Sequence, residues 1–238
     1  MFAGPNGSGK STLKAHLRPD LLGSYVNADD IEASLRSPEG FDFSPFGLVP
    51  SVDELHEFWR SSSLLRRADL VRAAERLVLY ENRLGFGDIE GNSYFAAVVA
   101  DFVRRGLLQD RASFSFETVM SSRDKVLLLR EAQGRGYRTY LYFVATDDPE
   151  INVSRVQNRV RLGGHDVPHD KIVGRYGRSL GLLPEAIYYS NRAYVFDNSG
   201  ENLDRVWIAE FTDGVEMELQ TARIPRWFER AVLDNIER

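Results

Sequence analysis

The stretch Gly4-Pro5-Asn6-Gly7-Ser8-Gly9-Lys10-Ser11, followed by Thr12, constrains this chain more than any other. It matches the pattern G-x-x-x-x-G-K-[ST] at every fixed position. The glycines let backbone N–H groups converge on phosphates, Lys10 can reach the outer phosphates of a nucleotide, and Ser11 offers a hydroxyl to Mg²⁺. Such a loop needs a strand before it and a helix after it. Lys10 to about Arg18 can form the helix. Only Met1-Phe2-Ala3 precede the loop, so its strand is expected to be unusually short or to begin upstream of Met1.

The remaining sequence narrows the function classes by exclusion. With 238 residues the chain suits one large domain, or one domain with a sizeable insertion. Its net charge of -5 argues against a general nucleic-acid binder, which carries a basic excess. The absence of cysteine removes disulfides, thiolate metal sites and cysteine nucleophiles. No apolar run reaches membrane-spanning length and no signal peptide fits before the loop, so a soluble, cytoplasmic protein is expected.

Strands alternating with helices indicate parallel βαβ units, in which ligands gather beyond the strand ends. Ser24 to Asn27 reads as a strand ending in Asp29-Asp30. One carboxylate there can orient an acceptor hydroxyl and take its proton, while the other caps a helix starting near Ile31. "ASFSFET" is a strand stopping at Glu117-Thr118, a carboxylate and hydroxyl able to hold Mg²⁺ through water, grip an acceptor or cap a helix. "RTYLYFVAT" is the most strand-like run, and Pro149 to about Val160 and Asp170 to about Ser190 read as helices. Arg155 and Arg159 share one helix face and Arg161 follows before Gly163-Gly164, which suits a lid that closes over phosphates as well as a solvated basic face. His165 and His169 are four apart, but Pro168 interrupts a regular helix and no third ligand follows, so a metal is rejected. "AYVFDNSG" is another strand ending in polar residues. "RVWIAEFTDGVEMEL" reads as a hairpin turning at Asp213-Gly214, with a final helix near Pro225. Between about 37 and 110 the pattern is mostly helical, with Leu64, Ala68, Val71, Ala74 and Val78 at helical spacing.

Taken in order, "AGPNGSGKST", "YVNADDI", "FSFETVMS", "GYRTYLYFVAT", "RVQNRVRLGGHDVP", "KIVGRYGRSL" and "AYVFDNSG" resemble the zeta-toxin-like family of P-loop kinases. The resemblance implies an α/β fold: a P-loop NTPase three-layer sandwich with a mostly parallel sheet of the adenylate-kinase type. Here it carries a helical insertion at about 37–110 and a C-terminal extension of hairpin plus helix at about 203–238, all within a single domain. It implies a kinase using ATP and Mg²⁺ that phosphorylates a small-molecule hydroxyl, as on UDP-N-acetylglucosamine, and that a small antitoxin holds inactive. Carried across, Gly4 to Thr12 bind nucleotide, with Lys10 and Ser11 as the nucleotide and metal pair. Asp29 matches the catalytic base, Glu117 and Thr118 resemble acceptor-binding residues, and the lid arginines fall among Arg155, Arg159 and Arg161, with Arg159 first.

Two departures stand out. The toxins commonly have a glycine between the Glu and Thr that are adjacent here, and the 37–110 segment is longer than in many relatives. Two other classes remain open. An ATPase or switch acting through a protein partner would need a strand-end aspartate, which "TYLYFVAT" lacks until Asp147. A polynucleotide kinase could use Arg66, Arg67, Arg72 and Arg76 as a local basic surface, against the acidic balance of the chain.

Overall fold

The computed structural model describes residues 1–85, 89, 91–164, 166–200 and 205–236. In chain order its main elements begin with β1 (Phe2–Ala3), α1 (Lys10–Lys14), β2 (Ser24–Val26), α2 (Ala28–Arg36), β3 (Phe41–Asp42) and α3 (Val52–Ser61). Then come β4 (Val78–Tyr80), β5 (Arg83–Gly85), α4 (Ser93–Gln109), β6 (Phe114–Thr118), α5 (Asp124–Gly134) and β7 (Tyr140–Ala145). The chain closes with α6 (Pro149–Arg161), α7 (His169–Gly181), α8 (Leu183–Tyr188), β8 (Arg192–Asp197), β9 (Val206–Thr212) and β10 (Glu216–Leu219). A short helical stretch begins at Arg226, directly after Pro225. The chain divides into two compact units, one of Met1–Leu17 with Glu117–Arg238 and one of Arg18–Phe116.

The first unit is built on the parallel part of a seven-stranded mixed sheet. β1 lies between β6 and β7 and parallel to both, with Phe2 opposite Glu117 and Tyr142. β8 continues parallel to β7, and β9 and β10 add antiparallel strands. Leu141, Phe143, Val144 and Ala145 are completely buried, as expected of a parallel strand covered on both faces. The β9–β10 connection turns at Asp213 and Gly214 with φ of 48° and 74°, the paired left-handed geometry of a tight hairpin.

Local chemistry sets the helix limits. Pro149 occupies the first turn of α6, where it forfeits no helical bond, and the Asp148 side chain accepts from the Glu150 N–H at 2.8 Å. At its other end Gly163 adopts φ 87°, and Gly164 and Gly163 donate back to the Arg159 and Val160 carbonyls. The run expected from Asp170 to Ser190 is divided at Leu182, before Pro184, which offers no N–H to an extended helix. α6, α7 and the segment between them share an apolar seam of Val153, Val156, Val167 and Ile172.

In the second unit β2 pairs in parallel with the first three residues of β6. A core of aromatic rings meets edge to face, with Phe102 of α4 5.8 Å from Phe43 and 5.3 Å from Phe58. The helical reading of 37–110 needs correction here, because β3, β5 and β4 form a three-stranded antiparallel sheet inside it. The helical stripe ends at buried Ala74, whereas Val78 is 56% exposed on a strand. Glu81 and Asn82, with φ of 46° and 66°, make the tight turn that reverses the chain. The unit starts at Arg18 and includes β2 and α2, so it is wider than the expected insertion.

Candidate functional site

The glycine-rich loop leaves β1 through Gly4, whose φ of 138° only glycine adopts with ease; a Cβ there would lie 2.0 Å from the Val144 carbonyl oxygen. The loop's own carbonyls are held by donors from four residues. Asn152 Nδ2 donates to the Asn6 carbonyl at 2.6 Å, and Asn198 Nδ2 to that of Ser8 at 2.8 Å. Lys10 Nζ bonds the Gly4 and Pro5 carbonyls at 3.0 and 2.9 Å, and Arg205 Nη1 reaches the Gly9 carbonyl at 3.3 Å. Within the loop the Ser8 N–H donates to the Pro5 carbonyl at 3.3 Å. Gly9, left-handed at φ 98°, then caps the start of α1. Helix α1 stops at Lys14, short of the expected Arg18.

Both clamping asparagines are buried, and Asn152 Oδ1 accepts from the Thr146 hydroxyl. Three buried polar atoms at the loop lack a hydrogen-bond partner: Asn6 Oδ1, Ser8 Oγ and Asn198 Oδ1. Unpaired groups of this kind are costly inside a protein unless a ligand or water serves them.

Ser11 Oγ lies 3.0 Å from both carboxylate oxygens of Glu117. A hydroxyl and a carboxylate are hard oxygen donors, and this pair fits Mg²⁺, which binds through one or two protein oxygens together with substrate phosphates. Thr118 serves its own turn, its Oγ1 accepting from the Met120 N–H at 2.9 Å.

Asp29 and Asp30 belong to the second unit, in the first turn of α2. Neither is the helix cap: α2 begins at Ala28, three residues before the expected start, and Asn27 caps it by accepting from the Asp29 N–H at 3.1 Å. Both carboxylates are therefore exposed and available at the positive end of the helix.

The three arginines of α6 differ. Arg155 is half-buried, donating to the Asn198 carbonyl at 2.7 Å and the Gly200 carbonyl at 2.8 Å, and burial lowers its pKa. Arg159 and Arg161 are exposed at the end of the helix, with Arg161 Nη1 3.4 Å from Asn158 Oδ1. On α7, Tyr176 donates its hydroxyl to the Thr146 carbonyl at 2.6 Å, and burial pushes its phenol pKa up. His169 contacts Asp170 and Glu150, while His165 lies outside the described residues. Among the described residues no cluster of three or more His, Cys, Asp or Glu could hold a metal.

Sequence reasoning missed Asn152 and Arg205. Asn152 had one usable signal: it sits one helical turn before Val156 on the apolar face of α6, where an amide is out of place unless bonded. Asn198 belongs to the "DNSG" segment, whose polar residues come directly after a strand.

No protein-family model matches the sequence. An uncharacterized protein of Haemophilus influenzae is 26% identical over 69 residues, which cover 29% of this chain and 49% of that protein. Among solved structures, the AvrRxo1-ORF1:AvrRxo1-ORF2 complex with sulphate ions aligns with a TM-score of 0.53 at 16% identity. Its native form gives 0.55 at 15%, and the form with ATP 0.52 at 15%. In each case the alignment covers 93% of this chain and 60% of the other. The chain thus spans about half the length of the curated relative and 60% of the similar structures. At this identity the likeness is one of fold, and it places the chain among mixed α/β proteins with a mostly parallel central sheet.

Proposed function

We propose that this protein is a kinase that transfers the γ-phosphate of ATP to a hydroxyl of a small molecule. The observation that carries the reading is the Ser11–Glu117 pair beside a glycine-rich loop whose carbonyls are tied back. The loop N–H groups and Lys10 bind the nucleotide phosphates, with Lys10 exchanging its carbonyl contacts for phosphate oxygens. Ser11 and Glu117 would hold Mg²⁺, which would neutralise charge on the transferring phosphoryl group. Asp29 orients the acceptor hydroxyl and takes its proton. Arg159 and Arg161 stabilise charge developing on the phosphoryl oxygens, while Arg155 fixes the Asn198–Gly200 segment. The fold likeness includes a structure solved with ATP and complexes with a second protein, ORF2, which supports both ATP and a protein partner as proposals for this chain. The resemblance to zeta toxins adds a UDP-N-acetylhexosamine as first acceptor to assay and a small antitoxin as partner. A cytoplasmic location is part of the same reading; among the described residues no helix is long and apolar enough to cross a membrane.

The test is incubation with ATP, Mg²⁺ and a panel of hydroxyl acceptors, with products identified by mass spectrometry. Lys10→Ala and Asp29→Asn should each abolish a phosphorylated product. ATP hydrolysis that yields no phosphorylated acceptor and survives Asp29→Asn would instead support a nucleotide switch. A short helical protein encoded beside this chain, and inhibiting it on mixing, would support the toxin reading.

A further inference from the structure

We propose that a cavity within the second unit is the acceptor site, and that it selects a small amine-bearing polyol rather than an anionic nucleotide sugar. This rests on the kinase reading above and names its substrate class. The cavity has a volume of about 390 Å³, room for a monosaccharide-sized molecule, and opens beside the first turn of α2. Phe41 and Phe46 form one wall, their ring centroids 5.7 Å apart and their planes inclined by 30°. Aromatic faces of this kind attract ammonium groups and the C–H faces of sugars.

The charges lining the cavity point the same way. Three carboxylates, Asp30, Glu39 and Asp42, face it together with a single guanidinium, Arg83. Arg83 is already committed: its Nη2 lies 2.9 Å from Asp42 Oδ2 and its Nη1 3.5 Å from the Glu39 carbonyl. The side chains of Asp30 and Glu39 have no hydrogen-bond or ion-pair partner among the described residues. Two carboxylates unmatched by a cation repel a diphosphate and attract a protonated amine. Asp30 shares the first turn of α2 with Asp29, the proposed base, whose own side chain is not part of the cavity lining.

The experiment measures binding to the full chain by titration calorimetry at mildly acidic pH, using glucosamine, N-acetylglucosamine and UDP-N-acetylglucosamine. Glucosamine should bind about tenfold or more tightly than its N-acetyl partner, a preference that falls as salt rises. Asp30→Asn and Glu39→Gln should each erase several-fold of that preference, with thermal unfolding confirming that the variants fold. The inference is overturned if the amine shows no preference over the N-acetyl sugar, if the UDP-sugar binds most tightly, or if neither substitution alters the order. Phosphate transfer is scored separately. Amine binding without transfer to any acceptor would sink the kinase reading alone, whereas transfer to the UDP-sugar would sink this inference alone.

Discussion

The Ser11 hydroxyl and the Glu117 carboxylate are 106 residues apart in sequence and 3.0 Å apart in space. The contact exists because β1 and β6 are neighbours, so that the loop and helix leaving one strand meet the end of the other. Glu117→Gln keeps the shape and removes the charge. It should raise the Mg²⁺ concentration needed for half-maximal ATP turnover by about 10–100-fold, the usual effect of altering a metal-site partner. An unchanged Mg²⁺ titration would remove Glu117 from the metal site and return it to the acceptor.

Asn152 and Asn198 hold the loop by its carbonyls. Replacing either by Ala strands a loop carbonyl, part-buried at Asn6 and buried at Ser8, at a cost of about 1–3 kcal/mol. Each kcal/mol lowers the Tm of a domain this size by about 2–4 °C, and calorimetry of the two variants would read it. ATP affinity should fall as well, because the loop N–H groups lose their fixed direction. A variant that weakens ATP binding without any loss of Tm would separate the asparagine's role from that of a structural clamp.

Glycine at position 4 is required on two counts. Gly4→Ala would combine φ 138° with a Cβ 2.0 Å from the Val144 carbonyl oxygen, so the β1–loop junction must shift. Gly136→Ala, at φ 85° with nothing within 4 Å of the added carbon, carries only the backbone strain of about 1–2 kcal/mol. Gly4→Ala should therefore be the more destabilising of the two by a clear margin in denaturant unfolding.

His169 binds its proton more tightly in the folded chain, first through Asp170 and then through Glu150. A raised folded pKa means that this contribution is fully present below the ordinary histidine value of about 6.5. It is lost as pH rises through the higher folded value. The Tm difference between wild type and His169→Gln should accordingly be largest at mildly acidic pH and vanish in alkaline buffer. A difference independent of pH would mean that the ring acts by packing and not by charge.

Much of this architecture could be read from residues alone where the signal was local. The strand Phe114–Thr118, read one residue short at Glu117, the turn at Asp213-Gly214 and the helix start at Pro149 each rest on one element's own chemistry. The β4–β5 hairpin escaped because Leu64 to Ala74 set up a helical stripe that Val78 happens to continue in spacing, and a Glu-Asn turn carries no glycine to announce it. At the site, Lys10, Ser11 and Glu117 were legible as a motif and a strand end. Asn152 and Arg205 were not, since each acts on a loop well over a hundred residues away and only the tertiary fold brings it there. The cap of α2 was missed for a local reason: Asn27, which caps it, sits just where the strand reading had placed its last residue.

The first unit is assembled from two separated stretches, 1–17 and 117–238, and β1 pairs only with strands from the later one. During synthesis the glycine loop stays without its flanking strands until β6 and β7 have been made. The continuous stretch 18–116 has no such wait. Every residue lining the proposed acceptor cavity is therefore made before the chain can grip a nucleotide, and phosphate chemistry is withheld until the rest of the chain has emerged.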